Sequence, residues 1–91
     1  MDKKTYKELE RLLAVHKLKE DTDEVFLELA EALEEKGIQP EAITVQLRFG
    51  KTKVEACGRC SQNEEDPEEV DVYMEWIQIG TEKILVEDYV L

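Results

Sequence analysis

Residues 42–60 read AITVQLRFGKTKVEACGRC, and this stretch decides the fold that the sequence predicts. Apolar and polar residues alternate from Ile43 to Phe49, which is typical of a half-buried strand and predicts one at about 42–49. Gly50 and Lys51 suit a two-residue type II′ turn, because glycine tolerates the positive φ that the first central position requires. The apolar positions of a second strand at 52–57 then match those of the first. This match fixes the register of a β-hairpin.

Two amphipathic helices are predicted before the hairpin. Thr5 and Glu8 fit the S/T-x-x-E capping box, and apolar residues at helical spacing follow, which predicts a first helix over about 5–20. An acidic start signal then predicts a second helix over about 22–36, since acids favour the positive end of the helix dipole. Gly37 is placed where the left-handed residue that ends a helix is expected. The short junction between them is compatible with an αα-hairpin or with one long kinked helix, and the two independent start signals favour the αα-hairpin.

Two more strands are predicted after an acidic loop at 61–69. Residues 70–79, VDVYMEWIQI, are apolar on both faces of a strand, and a glycine turn joins them to a last strand at 83–90. A C-terminal helix from Glu82 is the competing interpretation, although three consecutive aliphatic residues favour a strand. Residues 1–91 are thus predicted to form a single α+β domain. Its order is ααββββ, with the αα-hairpin packed on one face of a four-stranded antiparallel sheet.

One face of this sheet is left uncovered in the predicted fold, because two helices cover one face only. In the third strand, Tyr73, Ile77 and Ile79 are predicted to lie on the uncovered face. A contiguous exposed apolar surface marks an interface. The sequence therefore predicts a homodimer, or a stable complex with a protein partner, through these three residues.

The charge of the chain argues against binding to polyanions. Twelve basic and 23 acidic residues give a net charge of −11, which repels phosphate backbones and anionic membranes. The charge is unevenly spread, since 42–60 carries four basic residues and one acid, whereas 61–72 carries six acids and no base. The acidic segment is interpreted as a solvated loop. The alternatives are a loop that folds back over the basic hairpin, or a patch for a basic partner.

The sequence also predicts where the protein resides. No apolar run approaches the roughly 18 residues that a membrane-spanning helix needs. The N-terminal residues lack the apolar core of a secretory signal. A cytoplasmic protein without membrane contact is therefore expected.

Cys57 and Cys60 form a CxxC motif, which makes them the candidate metal ligands. Two thiolates at this spacing can bind one zinc ion, and the glycine between them permits a tight turn. Tetrahedral zinc needs four ligands. Besides the two cysteines, the chain has one histidine, His16, which is predicted on the apolar face of the first helix. A closed site would therefore need both cysteines from each of two chains, or help from carboxylates. Two reduced thiols, or a local disulfide, are the alternative interpretation.

The same four residues, CGRC, resemble the C-G-x-C dithiol of thioredoxin-like proteins. This resemblance implies a dithiol oxidoreductase whose redox pair would be Cys57 and Cys60. In that family the first cysteine opens a helix after a parallel strand, which lowers its pKa. Here Cys57 is predicted at the open end of an antiparallel hairpin, and Cys60 in the exit loop that follows.

No catalytic arrangement is apparent elsewhere, because phosphate-binding glycine loops and zinc-protease motifs are absent from the sequence. The sequence therefore predicts a small acidic interaction or regulatory domain without catalytic activity, which binds a protein partner or itself and binds no nucleic acid directly. Zinc is the one candidate cofactor. Three alternatives are a zinc-stabilised module, an acidic nucleic-acid mimic that occupies the basic groove of a partner, and a dithiol oxidoreductase.

Overall fold

The computed structural model describes residues 2–90, which form two helices followed by a four-stranded antiparallel sheet, as predicted. The sheet order is β1-β2-β3-β4, so each strand pairs with its neighbours in sequence. Within residues 2–90, no helix is both long enough and apolar enough to cross a bilayer. The elements are α1 (Lys3–Val15), α2 (Thr22–Glu35), β1 (Ile43–Phe49), β2 (Thr52–Gln62), β3 (Val70–Ile79) and β4 (Glu82–Val90).

Both helices pack on the same face of the sheet and enclose the hydrophobic core. Helix α2 contacts β1, β2 and β3, while α1 contacts β4 and α2. Each large aliphatic side chain moved from water into such a core stabilises the fold by about 1.5–3 kcal/mol. The largest fully buried side chains are Leu9, Leu12, Val25, Leu29, Leu33, Val54, Cys60, Met74, Ile77 and Ile79.

Helix α1 begins two residues earlier than the capping-box prediction. The N-cap is Asp2, whose side-chain oxygen accepts a hydrogen bond from the Thr5 backbone N–H at 2.8 Å. This bond to the charged carboxylate lowers the pKa of Asp2. Thr5 therefore lies inside the first turn, and its backbone is the group that is capped.

Helix α1 also ends earlier than residue 20, because the chain closes a Schellman motif. The Lys17 N–H donates to the Ala14 carbonyl and the Leu18 N–H donates to the Leu13 carbonyl, both at 3.0 Å. Lys17 adopts a φ of 57°, the left-handed conformation that this motif requires. The motif turns Leu18 back against the core, which accounts for the end of the helix at Val15.

The hairpin between β1 and β2 has the predicted register, with Phe49 opposite Thr52 across a two-residue turn. Gly50 has a φ of 65°, as the predicted turn requires. The β3–β4 turn has the same length, since Ile79 is opposite Glu82. The C-terminal segment is a strand, so the helix alternative is wrong.

Strand β2 continues to Gln62, five residues beyond its predicted end, so the acidic loop spans 63–69. The loop is built from turns in which side-chain oxygens accept backbone N–H groups. The Asn63 Oδ1 accepts from Glu65 at 2.8 Å and from Asp66 at 2.9 Å, and the Asp66 Oδ1 accepts from Glu68 at 3.0 Å. In a meander this loop lies at the opposite end of the sheet from the β1–β2 turn. It therefore does not fold back over the basic turn of the hairpin.

A β-bulge in β3 changes which residues of this strand face the core. Trp76 pairs with Cys57, and Met74 pairs with Gly58, so Glu75 has no partner on β2. An unpaired residue of this kind shifts the alternation of side chains by one position. Before Glu75 the even-numbered residues of β3 face the core, and after Glu75 the odd-numbered residues face it.

The bulge overturns the prediction for two of the three interface residues. Ile77 and Ile79 are wholly buried in the core, with exposed fractions of 0%. They cannot contact a partner while the domain is folded, and their assignment to the uncovered face was wrong. Tyr73 precedes the bulge and lies on the uncovered face with a partly exposed side chain, as predicted. After the bulge, Trp76 lies on that face as well.

Candidate functional site: the open face of the sheet

The sheet face that carries neither helix is named the open face, and the strand register arranges its side chains in rows, of which the middle three are described first. The central row contains Thr44, Cys57, Trp76 and Leu85. The loop-side row, nearer the acidic loop, contains Arg59, Tyr73 and Tyr89. The turn-side row, nearer the two glycine turns, contains Gln46, Glu55, Gln78 and Lys83.

Four apolar side chains form an aromatic cluster on β3 and β4, namely Tyr73, Trp76, Leu85 and Tyr89. The rings of Tyr73 and Tyr89 meet edge to face, with centroids 5.1 Å apart and planes at 73°. The exposed fractions are 60% for Leu85 and 52% for Tyr89. Aromatic side chains that face each other across two strands stabilise a sheet. Leu85 and Tyr89 nevertheless leave large apolar areas in contact with water.

Most basic side chains on and beside the open face lie toward the turns, whereas Arg59 lies in the loop-side row. The Lys83 Nζ lies 4.1 Å from the centroid of the Trp76 ring, a cation–π contact. The Lys53 Nζ forms a salt bridge of 3.2 Å with the Glu55 Oε1. At the other end of the sheet, six acids between residues 64 and 71 have no basic residue near them in sequence. The sheet is therefore basic at its turn end and acidic at its loop end.

The two cysteines lie on opposite faces of β2, because residues three positions apart in a strand point in opposite directions. The Cys57 thiol faces the open side and donates a hydrogen bond to the Glu75 Oε2 at 3.4 Å. The Cys60 thiol faces α2 and donates to the Leu33 carbonyl at 3.7 Å. The prediction that Cys60 lies in an exit loop was wrong, since β2 continues past it.

The placement of the thiols bears directly on the metal and disulfide interpretations. Side chains on opposite faces of a strand do not converge on one point, so Cys57 and Cys60 cannot bind one zinc ion or each other unless β2 opens. His16 lies at the C-cap of α1, beside Gly80. Within residues 2–90, no cluster of three or more histidine, cysteine or acidic side chains could hold a metal ion.

Both thiols are also poorly activated for redox chemistry. Burial raises the pKa of Cys57, and the hydrogen bond to the Glu75 carboxylate raises it further. Burial likewise raises the pKa of Cys60, with a smaller contribution from the charge of Glu34. The thiolate is the nucleophile in dithiol exchange. The geometry of this CGRC segment therefore gives no support to the chemistry that the resemblance implied.

Sequence reasoning found Tyr73 but missed the other three members of the aromatic cluster. The signal was present in β3, where residues 70, 72 and 74 are apolar in one phase and residues 77 and 79 in the other. A charged residue, Glu75, separates the two runs, which is where a bulge restores a single buried face. With that bulge in place, Trp76 and its cross-strand neighbour Leu85 follow as residues of the open face.

Comparison of the chain with protein-family models, with curated proteins and with solved structures found no match. The open face itself is therefore the basis on which a function is proposed.

Proposed function

We propose that the protein is a small interaction domain without catalytic activity, which binds a protein partner through the open face of its sheet. The observation that carries this proposal is the exposed aromatic cluster on a sheet face that neither helix covers. Tyrosine, tryptophan and arginine are the residues that most often dominate binding energy at interfaces. The cluster supplies three such side chains, and Arg59 lies beside Tyr73 in the loop-side row.

A protein partner fits this face better than a nucleic acid does. Bases can stack on aromatic side chains of a sheet, but such platforms are combined with a positive groove for the backbone. Here the net charge is −11, and the loop-side end of the sheet is acidic. On the face itself, Lys53 is already paired with Glu55, Arg59 donates to the Pro40 carbonyl, and Lys83 lies over Trp76. Phosphates would therefore meet repulsion where a protein surface would not.

The polar groups of the open face support binding rather than catalysis. A catalytic thiol is activated by a neighbouring base or by a lowered pKa. Cys57 instead donates to a carboxylate that raises its pKa. This pair braces β2 against the bulge of β3 and does not prepare a nucleophile.

Site-specific photocrosslinking in cells tests the proposal and identifies the partner in the same experiment. A p-benzoylphenylalanine residue replaces Tyr89, which is 52% exposed on the open face. The matched control replaces Leu27, which is 50% exposed on α2. We expect covalent protein adducts, identified by mass spectrometry, from position 89 and not from position 27. Absence of adducts at position 89 would refute the proposal.

A second candidate, the acidic mimic that occupies a basic groove, is supported by α2. This helix carries six acids and no base, and Leu27 is exposed among them. Adducts from position 27 alone would favour this candidate, and binding to the captured partner should then weaken steeply with salt. The acids are Asp23, Glu24, Glu28, Glu31, Glu34 and Glu35.

A further inference from the structure

We infer that the partner of the open face is a second copy of this chain, related by a two-fold axis that crosses the strands at right angles through the central row. This inference rests on the proposed function, since it names the occupant of the proposed surface. The two sheets would pack face to face with their strands antiparallel. Each residue pair across such an interface occurs twice, because the interface is isologous.

The polarity of charge along the strands selects this axis. The turn end of one copy, with Arg48, Lys51 and Lys53, would lie over the loop end of the other copy, where six acids lie between residues 64 and 71. A two-fold axis parallel to the strands would instead place each acidic loop over the acidic loop of the other copy. Like charges in that position repel, so the antiparallel arrangement is favoured.

The rows of the open face are complementary under the same axis. The axis exchanges the loop-side row with the turn-side row, which places Glu55 of one copy against Arg59 of the other. These two residues lie on β2, each two positions from Cys57 and on the same face. The central row meets itself, so Trp76 faces Trp76 and Leu85 faces Leu85 of the second copy. The interface would thus have Trp76 and Leu85 at its centre, beside Thr44 and Cys57, and charged groups on either side in which Glu55 contacts both its own Lys53 and Arg59 of the second copy.

The size of the face suits a dimer. Four strands about 4.8 Å apart and roughly 9 residues long, at about 3.3 Å per residue, give a planar footprint on the order of 600 Å². Protruding side chains raise the accessible area above the planar value. The result approaches the ~800 Å² per partner that a standard interface buries.

The net charge does not prevent this association. The acids of α2 lie in the helical layer, which is about 10 Å thick and covers the other face of the sheet. Their distance from the second copy exceeds the Debye length of about 8 Å at physiological ionic strength. Repulsion between these distant charges is therefore screened, while the opposed charges at the interface remain in close contact.

The first test uses the full chain and its one tryptophan. Sedimentation equilibrium should give the mass of a dimer at micromolar concentration. Dilution should then shift the Trp76 fluorescence to longer wavelength with the same midpoint as the loss of dimer, because the central row becomes exposed to water. A monomer at all concentrations would overturn the inference. If position 89 still formed adducts with another protein, the proposed function would survive that result.

The second test is a charge swap that identifies the axis. Glu55→Arg and Arg59→Glu should each raise the dimer dissociation constant roughly tenfold or more, because each variant places two like-charged pairs in the interface. The double variant should return the constant to within about threefold of the wild type, since the opposite charges again meet. Glu28→Arg, the same charge change on α2, is the control and should leave the constant unchanged. Single variants that dissociate without rescue in the double variant, or single variants without effect, would overturn the arrangement.

Discussion

Leu33 of α2 lies directly over Gly58 of β2, so close that a Cβ atom at position 58 would be 2.9 Å from the Leu33 Cδ1. The same hypothetical atom would be 3.1 Å from the Met74 Cα and would also clash with the Tyr73 carbonyl. The glycine between the cysteines therefore serves close packing against the backbone of β3 and the side chain of Leu33, rather than a tight turn. It allows α2 to approach the centre of the sheet, where Cys60 also contacts the Leu33 carbonyl.

Gly58→Ala should destabilise the fold by about 2 kcal/mol, because an added methyl group displaces backbone atoms that cannot move independently. Urea unfolding at one fixed protein concentration measures the change. Ser61→Ala, on the opposite face of the same strand, is the control and should change the free energy of unfolding by no more than about 0.5 kcal/mol. Equal stability of Gly58→Ala and the wild type would show that β3 and α2 do not approach position 58 this closely.

Gly37→Ala should cost less, about 1 kcal/mol, because it introduces backbone strain without a clash. Gly37 ends α2 with a φ of 78°, and a Cβ atom there would have no neighbour within 4 Å. Gly37→Asn is the control, and it should be less destabilising since asparagine tolerates the left-handed conformation better. If alanine and asparagine proved equally neutral in the same urea assay, α2 would not end in the left-handed conformation seen here.

Deletion of Glu75 should leave the protein folded but less stable, because the remaining residues of β3 then alternate regularly between the core and the open face, while Val86 and Glu87 of β4 lose the residue that lies opposite them. Deletion of Gln78 should be far more damaging, since it moves Ile79 out of phase with the core. Loss of one buried isoleucine alone costs about 2–5 kcal/mol. Circular dichroism melting compares the two deletions. A Glu75 deletion that unfolds as completely as the Gln78 deletion would contradict the bulge.

The two cysteines should make stability fall at alkaline pH. Their folded-state pKa values are raised above the ordinary value of 9.0, so the unfolded chain loses these protons first as the pH rises. Their contribution is complete below pH 9.0 and is lost as the pH rises through the higher folded-state values. A Cys57→Ala/Cys60→Ala variant should therefore show a shallower fall in unfolding free energy above that pH. Parallel pH profiles for the two proteins would contradict this prediction.

The parts of the fold that the sequence predicts correctly depend on local chemistry. The β1–β2 register follows from one glycine turn and from matched alternation on both sides of it. The order of two helices and four strands follows from periodicity. The errors arise where a distant contact decides the outcome. Helix α1 ends at Val15 because Leu18 returns to the core, and β2 continues to Gln62 because β3 pairs with it.

The candidate site shows the same division. Tyr73 lies on the open face, as predicted, because it belongs to the half of β3 that precedes the bulge. The prediction misplaces Ile77 and Ile79, because it assumes that side chains alternate between the two sheet faces without interruption along β3. The sequence of β3 alone does not determine that Glu75 is left unpaired, because a bulge depends on pairing with the neighbouring strands.

The sequence by itself determined the order of the elements, the pairing of the first hairpin and the charge polarity of the sheet, because each depends on residues near one another in the chain. Only the tertiary structure decided which side chains reach the open face. The bulge at Glu75 and the extension of β2 past Cys60 arise from pairing between strands and from packing against Leu33. These contacts join residues far apart in sequence, and they bury Ile77 and Ile79, separate the two thiols and leave the aromatic cluster exposed.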